Sequence, residues 1–155
     1  MAEYLSAVKK ITTETLRKMK LNREKITMLT AYDYTTAKMV DEGGVDVILV
    51  GDSAANVMAG FETTLPITLD QMIYHTQSVT RAVRRALVVA DLPFGTYQSN
   101  ADKALDSAVR MMKEGGASAI KMEGGIEIAD SVKKIISAGI PVVGHLGLTP
   151  QSVHQ

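Results

Sequence analysis

An α/β fold built on a parallel sheet follows from three features of this 155-residue sequence. Residues 45–50 form an apolar run with four β-branched side chains, closed by Gly51-Asp52-Ser53. A strand that apolar is expected where helices cover both faces of a parallel sheet. The same order of strand, polar turn, helix, glycine and strand then recurs along the chain. Finally, Glu-Gly-Gly at residues 42–44 and 114–116, and Ala138-Gly139, end helices just before strands. There a glycine in a left-handed conformation lets the chain turn back into the sheet.

Taken in order, residues 1–24 read as a helical cap segment. Thr13 is placed to cap a short helix to Lys18, with Leu16 and Met19 turned inward over the bottom of the sheet. Residues 26–31 form the first strand, and a helix starting at Thr35 or Thr36 runs to Gly43-Gly44. Residues 45–50 are the second strand. Residues 54–68 have no clean period, and a loop of that length after a strand is more often functional than idle. Thr68-Leu69-Asp70-Gln71 is a capping box; the helix it opens buries Leu69, Met72, Ile73, Val79 and Val83. Residues 87–91 are the third strand. Ser99 or Asn100 caps a helix with an inner stripe of Ala101, Leu105, Ala108, Val109 and Met112. Residues 119–123 are the fourth strand, residues 127–137 a helix, and residues 141–145 the fifth strand. No linker or low-complexity stretch divides the chain, so a single domain over residues 1–155 is expected.

Composition narrows the function classes. The chain is 46% hydrophobic with a formal net charge of zero, which gives no electrostatic case for nucleic acid or an anionic membrane surface. It has no cysteine, hence no disulfide and no thiolate metal site. No apolar run approaches the roughly 20 residues of a membrane span, and the amino terminus lacks the pattern of a secretion signal. A cytoplasmic setting is expected.

The chemistry gathers at the carboxyl ends of the strands, where Asp52, Asp91, Glu123 and His145 close the second to fifth strands. With strands about 4.8 Å apart, the three acids can converge on one ion. Left bare together they repel and take up protons, whereas Mg²⁺ favours such oxygen ligands. Lys121, two residues before Glu123, shares its face of the strand. It either pairs with Glu123 or holds an anionic substrate. No phosphate-binding glycine motif occurs, and no serine or cysteine sits at a strand-to-helix elbow. His75 and His154 receive no role.

Five segments carry a resemblance. Leu29-Thr-Ala-Tyr-Asp-Tyr34, Leu49-Val-Gly-Asp-Ser53, Val89-Ala-Asp-Leu-Pro-Phe94, Ile120-Lys-Met-Glu-Gly124 and Pro141-Val-Val-Gly-His-Leu-Gly-Leu-Thr-Pro150 resemble ketopantoate hydroxymethyltransferases, in that family's order and spacing. The resemblance runs from about residue 5 to the last residue. It implies a (β/α)₈ TIM barrel, of which the first five strands lie in this chain. It also implies Mg²⁺, and transfer of a one-carbon unit from methylene-tetrahydrofolate to the 2-oxo acid α-ketoisovalerate, in pantothenate synthesis. By resemblance Asp52, Asp91 and Glu123 are the metal-site carboxylates, and Ser53, Asp91 and Lys121 contact the keto acid, as does Asp52 through the ion. His145 sits in the pocket, and the assembly is a homo-oligomer, a ring-like decamer. The chemistry agrees: metal polarisation of the carbonyl acidifies the neighbouring C–H and stabilises the enolate that attacks the one-carbon unit.

The same comparison sets two further expectations. The family takes its general base, a glutamate, from beyond residue 155, which leaves His145 as a substitute candidate. A truncated chain is therefore expected, with little or no turnover and with association through open sheet edges. Two other readings compete. A lyase of the phosphoenolpyruvate mutase and isocitrate lyase group shares the barrel, the Gly-Asp-Ser step and an Mg²⁺-bound 2-oxo acid. A non-catalytic module that binds metal or keto acid is the other. The segments 89–94 and 144–150 favour the transferase.

Overall fold

In a computed structural model, which describes residues 8–154, five parallel strands lie in the order β1-β2-β3-β4-β5. They are β1 (Met28–Thr30), β2 (Val47–Val50), β3 (Leu87–Asp91), β4 (Ala119–Glu123) and β5 (Val142–His145). Each strand is added beside its predecessor with no reversal. That order is the winding of a barrel, whereas a doubly wound sheet reverses at a switch point. The helices are α1 (Thr13–Leu21), α2 (Tyr34–Glu42), α3 (Ala54–Val57), α4 (Leu69–Ala82), α5 (Ala101–Arg110) and α6 (Ala129–Ser137). The fold is thus α/β, a partial barrel of five strands among the described residues. Residues 1–7 of the expected cap segment, and Gln155, lie outside the described residues.

Alternation along the strands divides the core into two. Ile48, Val50, Val88, Ala90, Ile120 and Met122 point outward and join Ala37, Met72, Ile73, Val79, Ala104, Ala108 and Ile135 of the helices in one buried cluster. Each fully buried side chain of Ile or Met size contributes about 1.5–3 kcal/mol. On the other face Val47, Leu87, Val89 and Ala119 form a smaller cluster near the amino ends of the strands, covered by Ile11 and Leu16. The stretch from Ile11 to Leu16 thus lies over the lower end of the sheet. It is anchored there by Ile11 N–H donating to Arg85 O at 2.8 Å.

Most elements fall where the sequence puts them. Strands β3 and β4 have the expected bounds, and Thr68 and Gln71 make the expected capping box. Gly44, Gly116 and Gly139 adopt positive φ just past their helices, as expected. The differences have local causes. Helix α1 is capped by Thr12, because its hydroxyl and that of Thr15 exchange the capping-box bonds, and it runs to Leu21. Asp33, whose Oδ1 accepts the Thr36 N–H at 2.9 Å, caps α2 so that it starts at Tyr34, one or two residues earlier than expected. The four-residue α3 sits inside the segment read as a loop. In α5 Ala108 is buried and Leu105 and Met112 pack against the core as expected; Ala104 and Ser107 are buried as well, and Val109 is exposed. Small residues face inward there, and the Ser107 hydroxyl is satisfied by Thr96 O and Lys103 O. A wide π turn, Met111–Gly115, then brings Met111 against Thr76 of α4.

Asp41 at the end of α2 ties this layer together. Its buried carboxylate accepts the N–H groups of Arg84 and Ala86 at 2.8 Å and of Arg85 at 3.2 Å, closing the turn into β3. Removing it leaves three main-chain donors without their acceptor. Asp41→Ala is expected to lower the unfolding free energy by about 3 kcal/mol in urea titration. Asp130→Ala, which breaks an exposed pair with Lys133, is expected to change it by less than about 0.5 kcal/mol. Equal effects from the two would contradict this role for Asp41.

Candidate functional site

Strand register decides which polar groups meet at the upper rim. Asp91 lies level with Lys121, and Glu123 level with His145. Lys121 Nζ accordingly donates to Asp91 Oδ1 at 2.6 Å, and His145 Nδ1 lies 3.1 Å from Glu123 Oε1. Lys121 thus takes Asp91 as its partner, and not the Glu123 of its own strand. Asp52, just past β2, donates its main-chain N–H to Asp91 Oδ2 at 3.1 Å. A Cβ at position 51 would lie 2.7 Å from Ser53 Oγ, so glycine there leaves the Ser53 hydroxyl in its present place. Ser53 Oγ lies 2.8 Å from the Tyr32 hydroxyl, which reaches over from the turn after β1. That tyrosine is seated by His75, whose Nδ1 lies 2.8 Å from Tyr32 O.

The three acids are all buried, and burial sets their electrostatics. It pushes the Asp91 carboxyl up to about 6; Lys121 opposes the rise and the Asp52 charge adds to it. Burial likewise pushes Asp52 up, against the hydrogen bond from Gln151 and with the charge of Glu123. Asp52 and Asp91 therefore carry a repulsion that Lys121 only partly offsets.

Such a donor set suits a hard divalent ion, which binds carboxylate oxygens and keeps some waters or substrate oxygens. One further observation fits. The buried Thr64 hydroxyl, from the loop that follows α3, has no hydrogen-bond partner among the described residues, yet lies near enough to Asp52 to favour its ionised form. Asp52 is joined to Asp91 through its own main-chain N–H, and its charge is felt at the Asp91 carboxyl. Glu123 is engaged instead by His145 and by the Gln151 N–H, which donates to its Oε2 at 3.0 Å. Among the described residues, no three His, Asp or Glu side chains are grouped as ready ligands of one ion.

Gln151 and Tyr97 were not singled out from the sequence. Gln151 Nε2 donates to Asp52 Oδ2 at 2.8 Å and to Leu92 O at 3.0 Å, while Tyr97 Oη donates to Gln151 Oε1 at 2.7 Å. Tyr97 is wholly buried, and burial pushes its phenol upward, so it stays a donor. Neither residue carries a local signal; Gln151 follows Thr149-Pro150 in a short turn and reaches Asp52 across 99 positions.

The fold agrees with solved barrels of the phosphoenolpyruvate mutase/isocitrate lyase superfamily. A structure of 2,3-dimethylmalate lyase, a member of that superfamily, matches with a TM-score of 0.62 at 16% identity, over 84% of this chain and 51% of that one. Phosphonopyruvate hydrolase, solved in complex with oxalate and Mg²⁺, matches with a TM-score of 0.68 at 16% identity, over 86% and 52%. At that identity the likeness is of fold alone. Sequence is more specific. A sequence model of ketopantoate hydroxymethyltransferase matches residues 10–155. The 3-methyl-2-oxobutanoate hydroxymethyltransferase of Flavobacterium johnsoniae is 71% identical over 147 residues, covering 95% of this chain and 54% of that protein. That of Cytophaga hutchinsonii is 68% identical over 155 residues, covering 100% and 57%. The chain belongs to the ketopantoate hydroxymethyltransferase family, and spans about half the length of these curated relatives. No helix among the described residues is long and apolar enough to cross a membrane.

Burial of Asp91 has a measurable consequence. Its carboxyl rises from an ordinary 3.8 to about 6 on folding, so between those values the folded chain binds the proton more tightly. Stability contributed by this group is therefore lost as pH rises from about 4 to about 6, and is constant above. Asp91→Asn has no such proton. In metal-free urea titrations its unfolding free energy, relative to the parent, is expected to rise by about 3 kcal/mol over that interval. A pH-independent difference would contradict the burial effect.

Proposed function

We propose that this chain carries the keto-acid and metal half of a hydroxymethyltransferase site. Asp52 and Asp91 hold Mg²⁺, with Glu123 beside them at the rim, and Ser53, Asp91 and Lys121 bind α-ketoisovalerate. The observation that carries this reading is the Asp91–Lys121 pair beside Asp52: two acids and one ammonium group, all sheltered, on adjacent strand ends. A 2-oxo acid brings a carboxylate and a keto oxygen, which match that arrangement of charge.

When bound, a divalent ion supplies Lewis-acid polarisation of the keto group, which acidifies the C–H at C3. The side chains do the rest. Lys121 Nζ, held against Asp91, neutralises the substrate carboxylate. The Ser53 hydroxyl, fixed by Tyr32, donates to a substrate oxygen. In the whole reaction the C3–H bond breaks and a C–C bond forms to the methylene carbon of methylene-tetrahydrofolate, while both C–N bonds of that carbon break. Water supplies the hydroxyl of ketopantoate, and tetrahydrofolate leaves with its two nitrogens reprotonated, one proton from C3 and one from the water. His145, whose Nδ1 lies 3.1 Å from Glu123 Oε1, is the imidazole at this rim. A homo-oligomeric assembly and a cytoplasmic setting remain part of the proposal.

Ligand binding is the direct test. With Mg²⁺ present, calorimetry is expected to show α-ketoisovalerate binding to the protein, weakened about tenfold or more in Lys121→Met, a loss of about 1.4 kcal/mol or more. Unchanged affinity would overturn the role given to Lys121. Loss of deuterium from C3 that depends on tetrahydrofolate marks the transferase, whereas folate-independent cleavage of a carbon skeleton marks a lyase.

A further inference from the structure

The residue that bonds both Asp52 and Glu123 lies on none of the strands that carry the rim acids. Gln151 is 5% exposed and uses every hydrogen-bonding position of its amide. Oε1 accepts from Tyr97 Oη at 2.7 Å and from Gln98 Nε2 at 3.1 Å. Nε2 donates to Asp52 Oδ2 at 2.8 Å and to Leu92 O at 3.0 Å. With both ends committed, the amide has one orientation. Flipping it would set Oε1 against Asp52 Oδ2 and Leu92 O, two acceptors. Its main-chain N–H meanwhile holds Glu123 Oε2 at 3.0 Å. Tyr97 closes the loop by accepting the Glu123 N–H at 3.1 Å.

We propose that Gln151 is a positioning residue for the divalent ion: it commits Asp52 Oδ2, leaving Oδ1 to face the ion, and fixes Glu123 Oε2 through its main-chain N–H. The inference rests on the proposed metal-binding reading of that pair. A neutral amide suits this task. A cation at the same place would repel the incoming ion, whereas an apolar side chain would let the carboxylate turn.

Mn²⁺ titration followed by electron paramagnetic resonance of the free ion, with Mg²⁺ as competitor, tests this without turnover. The protein is expected to bind one Mn²⁺ that Mg²⁺ displaces. Gln151→Met, which keeps length and removes every donor and acceptor, is expected to weaken that affinity at least tenfold. Tyr97→Phe frees the amide to flip, and is expected to weaken it two- to fivefold. The second variant carries the test should the first fail to fold. A lower melting temperature with unchanged Mn²⁺ affinity in both folded variants would reduce Gln151 to a structural plug and overturn the inference. No Mn²⁺ binding by the unaltered protein would instead overturn the metal reading beneath it.

Discussion

A carboxylate taken out of water must find its donors within the protein, and the upper rim of this sheet is organised by that requirement. Asp91, 3% exposed, is met by the Lys121 ammonium on one oxygen and the Asp52 N–H on the other. Both come from neighbouring strand ends, so the pairing exists only in the observed parallel register. A slip of one residue would turn Lys121 to the outer face and leave Asp91 buried and bare. Register, rim electrostatics and the proposed ligand site are therefore one constraint seen at three scales.

The two cores give that register its rigidity. Outward side chains lock each strand to the helices, while the small inner cluster under Ile11 and Leu16 fills the lower part of the concave face. Apolar filling stops where the polar residues begin: Val89 is followed two places on by Asp91, and Ala119 by Lys121 and then Glu123 on the same face. The strands are thus divided along their length into a dry support and a charged rim, which is how a barrel separates stability from chemistry.

Local signals made much of this legible from the sequence alone. The apolar runs at 87–91 and 119–123 are bounded by Asp91-Leu92-Pro93 and Glu123-Gly124, so their strands were readable to the residue. Thr68 and Gln71 form a cap within one turn of chain, and the glycines after α2, α5 and α6 mark where left-handed backbone is needed. The partner of Lys121 was not legible, because same-face spacing names Glu123 whereas cross-strand register, unknown in advance, names Asp91. Part of the α5 inner face escaped for a related reason. Leu105, Ala108 and Met112 were readable, but close helix packing also drew in Ala104 and Ser107, small residues with no apolar signal of their own. Gln151 was least visible of all, since an amide in a turn looks like any solvated surface residue until the loop folds back.

The long reach of that glutamine orders events during synthesis. Asp91 and Lys121 are 30 positions apart and Asp52 and Asp91 39, but Asp52 and Gln151 are separated by 99. At about 5–20 residues per second on the ribosome, Asp52 is made several seconds before its amide partner. Throughout that interval hydration serves as its counterpart. The Asp52 carboxylate thus acquires its amide partner only after β1 to β5 have all been made.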